Sequence, residues 1–253
     1  MTTRTAGLRA RMLAGERLIG TFVKTPEVTV IEVLAHAGMD LVCLDAEHCA
    51  WDRGRMDACL AVARALDLPA VVRVAAGTAQ DILQALDAGA VGVVVPHVDS
   101  AEKARAVARA AHFGRGGRGF AGSTRWAGYA TRSMAEVLAQ DRETIVMVQI
   151  EEPEGVEAVD AIAAVEGVDA LFAGPADLSV GYGHSALGSA ELDAALRRIG
   201  EAARGAGRAC ATWVPDAATA AAWAHYGMGV WFVGSDHALM LGAARGVVAG
   251  FGR

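Results

Sequence analysis

The stretch Asp87-Ala88-Gly89-Ala90, followed directly by the apolar run Val91–Val95, contains the unit from which this chain is built. The glycine marks the end of a helical segment, because glycine readily adopts the left-handed conformation that closes a helix. The valine-rich run is typical of a strand that is buried on both faces of a parallel sheet. Together they predict a helix that leads into a buried parallel strand.

This pattern recurs along the whole chain. Short Val/Ile/Leu-rich runs alternate with Ala/Arg/Glu-rich segments of helical period. The eight runs are Leu18–Val23, Leu41–Asp45, Ala70–Val74, Val91–Val95, Thr144–Ile150, Val168–Ala173, Ala209–Val214 and Val230–Gly234. Glycine stops precede four of them, at Gly38, Gly89, Gly167 and Gly227. Eight strand–helix units without an obvious linker favour a closed (β/α)8 TIM barrel over an open doubly wound sheet, as one domain spanning residues 1–253.

The composition limits the classes of function. A net charge of −6 argues against nucleic-acid binding, which relies on basic surface to displace counterions from phosphates. The stretch Met1–Gly20 scatters charged residues among apolar ones, unlike a signal peptide, and no apolar run is long enough for a bilayer. We therefore expect a cytoplasmic protein without a membrane partner. Four cysteines lack paired spacing and are interpreted as reduced, mostly buried thiols: Cys43, Cys49, Cys59 and Cys210.

Polar residues concentrate where the predicted strands end. In barrels of this class the active site is built at the carboxyl ends of the strands. The polar positions are Asp45, Glu47 and His48 after the second run, Arg73 in the third, Gln149, Glu151 and Glu152 at the fifth, Asp177 after the sixth, and Ser235 and Asp236 after the eighth. Because these ends meet at one mouth, we expect the side chains to converge there.

Two carboxylates indicate a cation site. Glu151 and Asp177 lie just past neighbouring strands, which places two hard oxygen ligands side by side, as Mg²⁺ or Mn²⁺ prefers. Two such ligands leave positions open for water and a bidentate substrate. The alternative is that both are ordinary acids at helix starts, where acidic residues are common.

Arg73 and His48 are the candidate groups for chemistry. Arg73 lies inside an apolar strand, where an unpaired cation is costly to bury, so it must meet a carboxylate, a phosphate or a developing oxyanion. A structural pair with Asp45 or Glu47 is the other interpretation. His48 follows Asp45 by three residues, and the spacing predicts that this carboxylate orients an imidazole that titrates near neutrality.

Three further features of the sequence are a strand-to-helix turn, a glycine-rich stretch and the remaining histidines. The turn Gly174-Pro175-Ala176-Asp177 joins a strand to a helix, so its backbone N–H groups can face an anion such as a carboxylate. The glycine-rich stretch Gly114–Gly119 does not run from a strand into a helix, as a nucleotide-binding loop must. We interpret it as a mobile loop whose Arg118 and Arg125 meet an acidic substrate or a neighbouring subunit. The other histidines show no metal-ligand spacing and are treated as mostly structural, although His97 follows the fourth strand and could line the mouth: His36, His97, His112, His184, His225 and His237.

Five motifs resemble those of a known family over nearly the whole chain. They are Gly20-Thr21-Phe22, Asp40-Leu41-Val42-Cys43-Leu44-Asp45-Ala46-Glu47-His48, Val71-Val72-Arg73-Val74, Val148-Gln149-Ile150-Glu151 and Leu171-Phe172-Ala173-Gly174-Pro175-Ala176-Asp177-Leu178-Ser179. The combination resembles the HpcH/HpaI aldolases, which are metal-dependent class II pyruvate aldolases. The segment Gly119 to Tyr129 looks shorter than in the heptanedioate enzyme of that family, which leaves the aldehyde partner open.

The resemblance implies roles for individual residues. Glu151 and Asp177 would bind the divalent cation, which is Mg²⁺ or Mn²⁺, with Co²⁺ or Zn²⁺ as less preferred ions. Arg73 would contact the keto or enolate oxygen, and Asp45 and His48 would serve acid–base chemistry. Residues implied to bind the substrate are Gln149, Gly174, Pro175, Ala176 and Asp177. The family also implies a homo-oligomer, a hexamer whose active sites lie near subunit boundaries.

The expected activity is the reversible addition of a 2-oxo acid enolate, from pyruvate or a relative such as hydroxypyruvate, to an aldehyde. A Schiff-base aldolase is a rival, for which the only lysines are Lys24 and Lys103. Lys103 falls in a predicted helix, whereas Lys24 follows the first strand. The sequence also leaves open a citrate-lyase-like or condensing enzyme of the same superfamily, and a metabolite-binding barrel without catalytic activity.

Overall fold

The computed structural model describes residues 4–252 and shows a closed barrel of eight parallel strands. Each strand pairs with the next one along the chain, and the eighth closes on the first. The strands are β1 (Leu18–Val23), β2 (Leu41–Asp45), β3 (Ala70–Arg73), β4 (Gly92–Val95), β5 (Ile145–Ile150), β6 (Ala170–Ala173), β7 (Ala209–Val214) and β8 (Val230–Ser235). The predicted (β/α)8 fold is confirmed. The largest difference in a strand end is at β6, which begins at Ala170 rather than Val168.

Helices surround the barrel and connect its strands. They are α1 (Leu8–Leu13), α2 (Val28–His36), α3 (Arg53–Ala65), α4 (Ala79–Asp87), α5 (Ala101–Ala111), α6 (Met134–Gln140), α7 (Pro153–Glu157), α8 (Val159–Ala163), α9 (Pro175–Gly181), α10 (Ala190–Gly205), α11 (Ala217–Trp223) and α12 (Asp236–Gly250). Short 3-10 helices cover Asp141–Glu143 and Ala224–Tyr226. The predicted glycine stops all have positive φ angles: Gly38, Gly89, Gly167 and Gly227. Within residues 4–252, no helix is both long and apolar enough to cross a membrane.

Alternation along the strands divides the apolar core into two layers. In β2, Val42 and Leu44 pack outward in the layer between strands and helices, whereas Leu41 and Cys43 fill the barrel interior. Asp45 falls on the same face of the strand as Leu41 and Cys43. Its side chain is therefore directed into the barrel at the carboxyl end of the strand, where it is fully buried.

The same rule places two more polar side chains inside the mouth. Arg73 follows the inward-facing Val71 by two residues, and Gln149 follows the inward-facing Met147 by two residues. Both polar side chains are buried. The two-residue alternation of side chains along a strand thus directs one polar residue from each of these strands into the mouth of the barrel, and the apolar core below stays uninterrupted.

An aromatic layer closes the barrel beneath these polar groups. The ring centroids of Phe22, Phe172 and Phe232 lie 5.4 to 6.2 Å apart in pairs. All three rings are buried, at 3% exposure or less. The polar groups of the mouth therefore lie directly above an apolar layer, which excludes water from the barrel interior below them.

Helix α12 differs from the other long helices because none of its residues is buried. Its exposed apolar side chains include Met240, with 68% of its surface accessible, and Val247, with 63%. Phe251, which follows the helix, is 83% exposed. An exposed apolar face of this extent is typical of a surface that another protein chain covers.

The interpretation of Arg118 and Arg125 as loop residues that meet a substrate of this barrel is wrong. Arg118 is buried, and its guanidinium lies 2.6 Å from the carboxylate of Asp87, at the end of α4. Arg125 pairs with Asp57 at 2.7 Å. Both residues therefore brace the end of the barrel where helices lead into strands, which is opposite to the predicted mouth.

Candidate active site

Asp45 and Arg73 form the central ion pair of the mouth. The Nε and Nη2 atoms of Arg73 lie 2.9 and 2.8 Å from the two carboxylate oxygens of Asp45. The ammonium of Lys24 lies 3.1 Å from the same carboxylate. Burial raises the pKa of Asp45, but the bonds from Arg73 and Lys24 outweigh burial and leave that pKa below its usual value. Asp45 is therefore held as a carboxylate between two cations.

Arg73 also contacts a second carboxylate and the aromatic floor. Its Nε lies 3.3 Å from Glu47, and its guanidinium carbon lies 4.6 Å from the Phe22 ring centroid. The structural pairing with Asp45 and Glu47 is thus present. Among the described residues, Nη1 of Arg73 has no hydrogen-bond partner, and Arg73 lines the cavity of the mouth. One edge of the guanidinium is therefore available to a bound molecule.

His48 lies at the mouth, but its geometry differs from the expectation. The contact with Asp45 is made by the backbone N–H of His48, which lies 3.3 Å from a carboxylate oxygen. The imidazole is 57% exposed, and its Nε2 lies 3.8 Å from Glu47. The carboxylate of Asp45 therefore positions the backbone that carries His48, while the ring itself is free to face a ligand.

His97 joins three acidic side chains into one cluster. Its imidazole Nε2 lies 3.4 Å from Glu47, and its Nδ1 lies 3.2 Å from Glu151 and 2.5 Å from Glu152. The backbone N–H of His97 donates to Glu151 at 2.8 Å. His97 has a φ of 56°, a left-handed conformation that is uncommon for a residue with a side chain. This backbone turn directs both its N–H and its ring at Glu151.

The environment of Glu151 suits a cation. Burial raises the pKa of Glu151 to about 7, the N–H and charge of His97 oppose that rise, and the charges of Asp177 and Glu47 add to it. One oxygen of Glu151 accepts a hydrogen bond from the side-chain amide of Gln149. The amide oxygen of Gln149 is buried without a hydrogen-bond partner among the described residues. Buried acceptors of this kind are stabilised by a positive ion.

The turn after β6 forms one wall of the site. The N–H of Gly174 donates to the carbonyl of Ile150, and Pro175 has no N–H. This leaves only the N–H groups of Ala176 and Asp177 for an anion, so the predicted backbone cradle is narrower than the sequence indicates. Asp177 is exposed at the first turn of α9.

Glycine is required at position 174 by close packing. A Cβ atom added there would lie 2.7 Å from the Cβ of Glu151 and 3.2 Å from both a carboxylate oxygen of Glu151 and the amide nitrogen of Gln149. Carbon atoms do not approach that closely without displacement. The glycine therefore allows the turn to pack directly on Glu151.

These groups surround a cavity of about 340 Å³, which suits a small ligand. Its lining includes His48, Arg73, Gln149 and the whole turn Gly174–Asp177, together with Lys24 and Trp213. Asp45 lies behind Arg73, and Glu151 lies behind Gly174. The structure thus brings all nine candidate residues to one mouth.

One set of oxygen and nitrogen atoms among the described residues lies close enough together to hold a metal ion there. Single ligand atoms of Glu47, His97 and Glu151 all lie within 4.8 Å of one another. Asp177 is not in that set, but its negative charge raises the pKa of Glu151. The chemistry of the donors and the elevated pKa of Glu151 fit a divalent cation, which carboxylates bind in their charged form.

Three site residues were not identified from sequence as participants. From sequence, Lys24 is a candidate only for a Schiff-base lysine, Glu47 is a polar residue of the mouth that could pair with Arg73, and His97 is a mostly structural histidine that could line the mouth. The sequence feature that these three residues share is their position, because each follows the carboxyl end of a strand within two residues. Ligand spacing within one segment could not reveal a cluster whose members come from β2, β4 and β5.

The mouth of this (β/α)8 barrel combines a group of side chains that could hold a cation, an imidazole and a buried guanidinium. Such a combination is typical of enzymes that act on small oxyanionic substrates. The sequence profile of the HpcH/HpaI aldolase/citrate lyase family matches residues 18–243. The chain belongs to this family and is a carbon–carbon lyase of the aldolase type.

Similarity extends over most of the chain in both sequence and structure. A hydroxypyruvate/pyruvate aldolase of Paraburkholderia phytofirmans is 37% identical over 87% of this chain and 87% of its own. An HpcH/HpaI aldolase/citrate lyase family protein from Burkholderia cenocepacia superposes with a TM-score of 0.92 at 32% identity, over 98% and 99% of the two chains. The citrate synthase SbnG superposes with a TM-score of 0.85 at 27% identity, over 96% of both chains.

Proposed function

We propose that this chain is a divalent-metal-dependent aldolase that adds the enolate of pyruvate or hydroxypyruvate to an aldehyde, and that it catalyses the reverse cleavage. The observation that carries the proposal is that Arg73, His48 and Asp177 line one cavity, with the carboxylate of Glu151 packed directly behind Gly174. These residues supply an oxyanion partner, a base and two cation ligands. Relatives named hydroxypyruvate/pyruvate aldolase support the choice of 2-oxo acid.

Glu151 and Asp177 hold the cation in this proposal, with Mg²⁺ or Mn²⁺ as the preferred ions. When bound, the cation supplies Lewis acidity to a 2-oxo acid that chelates it. Glu47 and His97 keep Glu151 in place through the contacts of the cluster. Gln149 has the same task, because its amide donates to Glu151.

His48 is the proposed base for the 2-oxo acid. Its exposed ring can accept a proton from the methyl carbon and return a proton to the oxygen that forms when the enolate attacks the aldehyde carbon. Arg73 faces the developing enolate oxygen with the edge that its ion pairs leave free. Asp45 and Lys24 hold Arg73 in that orientation from behind.

Substrate binding is assigned to the wall opposite His48. The N–H groups of Ala176 and Asp177 face the carboxylate of the 2-oxo acid, and Pro175 fixes the turn that presents them. Trp213 and Phe172 supply apolar walls to the same cavity. The aldehyde enters from the open side of the cavity.

Removal of the metal tests the proposal directly. Chelation is expected to abolish aldol cleavage, and Mg²⁺, Mn²⁺ or Co²⁺ should restore it. A screen of pyruvate and hydroxypyruvate against short aldehydes, with each ion in turn, then identifies the preferred pair. Full activity in metal-free protein would contradict the proposal.

The Schiff-base alternative depends on Lys24, whose ammonium is paired with Asp45. Borohydride reduction in the presence of pyruvate traps a covalent adduct only in a Schiff-base enzyme. We expect no adduct by mass spectrometry. An adduct on Lys24 would replace the metal-dependent mechanism.

A condensing or citrate-synthesising activity is the second candidate, because the fold of SbnG is similar over nearly the full length. Identity to that protein is 27%, against 37% to the hydroxypyruvate/pyruvate aldolase. Assays with oxaloacetate and an acyl donor distinguish the two activities. We expect aldol cleavage to be the faster reaction.

We further propose that the chain forms a homo-oligomer through α12. The family resemblance implies that this oligomer is a hexamer. The exposed apolar side chains of α12 support this assignment. Light scattering is expected to give a multiple of the 26.1 kDa chain mass. The double substitution Met240→Glu and Val247→Glu should reduce that mass, whereas a wild-type monomer would contradict the assignment.

A further inference from the structure

A second cavity lies at the amino ends of the strands, on the opposite side of the barrel from the proposed active site. It has a volume of about 930 Å³ and is bordered by the segments that lead into β5, β6 and β7. Six arginines line it: Arg9, Arg105, Arg109, Arg115, Arg142 and Arg208. The whole chain carries a net charge of −6, so this concentration of positive charge is local.

Two of the six arginines are neutralised by carboxylates. Arg9 pairs with the buried Asp169 at 2.7 Å, and Arg105 pairs with Glu102 at 2.7 Å within α5. Within residues 4–252, the other four have no carboxylate partner. Only one carboxylate of the lining, that of Glu166, has no cationic partner there. The cavity therefore has an excess of positive charge.

Two of these four arginines have a structural explanation. Arg208 donates at 3.0 Å to the carbonyls of Ala163 and Val165, which end α8. Arg109 lies in the last turn of α5, where a cation interacts favourably with the helix dipole. Arg115 and Arg142 are different, because their exposed side chains have no hydrogen-bond partner among the described residues. Arg142 lies in the short 3-10 helix Asp141–Glu143, which is too short to have a sizeable helix dipole.

The glycine-rich turn holds Arg115 at the edge of this cavity. Gly117 donates its N–H to the carbonyl of Gly114 at 3.1 Å, and Arg118 donates to the carbonyl of His112 at 2.8 Å. A Cβ at position 117 would lie 2.4 Å from the carbonyl oxygen of His112. The turn therefore packs against the end of α5, and the exposed Arg115 lines the cavity together with Arg109.

A further positive group borders the same space. His112 lies 3.3 Å from Asp141, and this hydrogen bond raises the pKa of the imidazole against the opposing effect of burial. Asp141 also accepts from the backbone N–H of Phe113 at 3.2 Å. Both contacts use the same oxygen of Asp141, and the other oxygen is buried without a hydrogen-bond partner among the described residues. No ion pair joins Asp141 to Arg142, its neighbour in sequence.

We propose that this cavity is a binding site for a small anion that carries two phosphate groups, such as a diphosphate or a nucleoside diphosphate. Guanidinium groups match phosphate oxygens in a bidentate geometry, and the two exposed guanidinium groups without partners, with Arg109 and Arg208 around the same cavity, favour a multivalent anion. The volume exceeds that of one phosphate and lies in the range of small-ligand sites. A concave site on an acidic chain favours a small molecule over nucleic acid or a membrane.

Calorimetric titration with pyrophosphate tests the site on the full, assembled chain. The buffer contains no divalent cation, so that the probe is not chelated. We expect saturable binding that weakens as sodium chloride is added, because the contacts are ionic. The double variant Arg115→Gln/Arg142→Gln should raise the Kd at least tenfold, since each charge-assisted contact contributes to affinity.

Two control variants locate the binding. Arg17→Gln/Arg53→Gln removes the same charge at two exposed positions outside the cavity, and Lys24→Met removes a cation from the opposite mouth. Both should leave the Kd within about twofold of the wild-type value, as expected for distant charges screened by salt. Equal weakening in either control, or the absence of saturable binding to the wild-type chain, overturns the proposal.

Two further measurements complete the test. ADP and pyrophosphate are compared on the same variants: dependence of both on Arg115 and Arg142 supports the site, and the tighter ligand identifies the source of the phosphates. Light scattering of the double variant gives the mass of the assembly. A changed mass would show that the cavity is a contact between copies of the chain, which overturns its assignment as a ligand site.

Discussion

Arg73 and Arg118 are both buried, both form an ion pair with an aspartate, and both lie over aromatic rings, yet they occupy opposite ends of the barrel. Arg73 lies 4.6 Å above Phe22 and pairs with Asp45 at the carboxyl ends of the strands. Arg118 lies 4.6 and 4.7 Å from the ring centroids of Trp126 and Phe113 and pairs with Asp87. Chemical surroundings alone therefore do not distinguish Arg73, for which we propose a catalytic role, from Arg118, which is enclosed in the fold.

What distinguishes them is the space in front of each guanidinium. Arg73 borders a cavity shared with His48 and Gln149, whereas the side chain of Arg118 is fully enclosed between two rings and the end of α4. A buried cation with one edge exposed to a cavity can act on a ligand. A fully enclosed cation can only stabilise the fold. This difference between the two ends of the barrel can be tested by substitution at each end.

The largest effect is expected at His48. His48→Ala should lower the exchange of the pyruvate methyl protons in deuterated water by about 10²–10⁴, as for other general bases. Decarboxylation of oxaloacetate should survive within about tenfold, because it reaches the same enolate without proton abstraction and needs only the electrostatic groups. Proton NMR of the methyl signal and a decarboxylation assay on one preparation give both rates.

The matched control is His225→Ala, at the amino end of the barrel. His225 bonds the carbonyl of Ala222 and lies outside the cavity of the mouth. We expect both rates to be unchanged in this variant. Equal losses of exchange and decarboxylation in His48→Ala would instead show that His48 positions the substrate.

The second effect compares the two buried arginines directly. Arg73→Lys should lower kcat by about 10²–10³ with little change in Tm, because lysine keeps the charge but lacks the free edge of the guanidinium. Arg118→Lys should lower Tm by several degrees and leave kcat unchanged. Steady-state kinetics and thermal unfolding of both variants are the measurements. If Arg73→Lys unfolds while its native fraction keeps the wild-type rate, Arg73 is structural as well.

The third effect distinguishes the two ligand sets for the cation. Asp177→Asn should weaken Mn²⁺ binding by more than about tenfold, the size of effect that loss of even an outer partner produces. Glu47→Gln should weaken it less, because Glu47 acts through His97 and Arg73. Titration calorimetry with Mn²⁺ gives both affinities. The reverse order would assign the cation to Glu47, His97 and Glu151.

The smallest effect concerns stability at the amino end. The bond to Asp141 raises the pKa of His112, so its contribution to stability is complete below the unfolded-state pKa of about 6.5 and is lost as the pH rises through the folded-state value. His112→Gln should therefore lower Tm by a few degrees near pH 6 and by less near pH 9. Thermal unfolding across this range is the measurement, and a difference independent of pH would contradict the assignment.

Much of the architecture could be predicted because it depends on local patterns. The glycine stops at Gly38, Gly89, Gly167 and Gly227 mark helix ends through a backbone preference that no distant contact needs to supply. The alternation of inward and outward side chains along a strand likewise places Asp45, Arg73 and Gln149 on the inner face of their strands once the strand ends are known. The barrel then brings them together, because the ends of all its strands meet at one mouth.

Other parts of the site depended on the tertiary structure. The glycine-rich segment from Gly114 to Gly119 has the composition of a ligand loop, but only the fold shows that it lies at the amino end and that Arg118 is enclosed there. The sequence predicts a mostly structural role for His97, because the carboxylates that it contacts are distant in the chain. Its left-handed backbone, together with the positions of β2 and β5, decides its contacts.

The sequence by itself determined the order of strands and helices and most of the residues at the mouth, since these follow from periodicity and from helix stops a few residues long. The tertiary structure alone decided which charges pair across strands. It also decided which carboxylate is buried enough to have a raised pKa, and which arginines of the amino end have no partner. These properties depend on distances and dielectric environment between segments far apart in the chain, and local sequence carries no information about either.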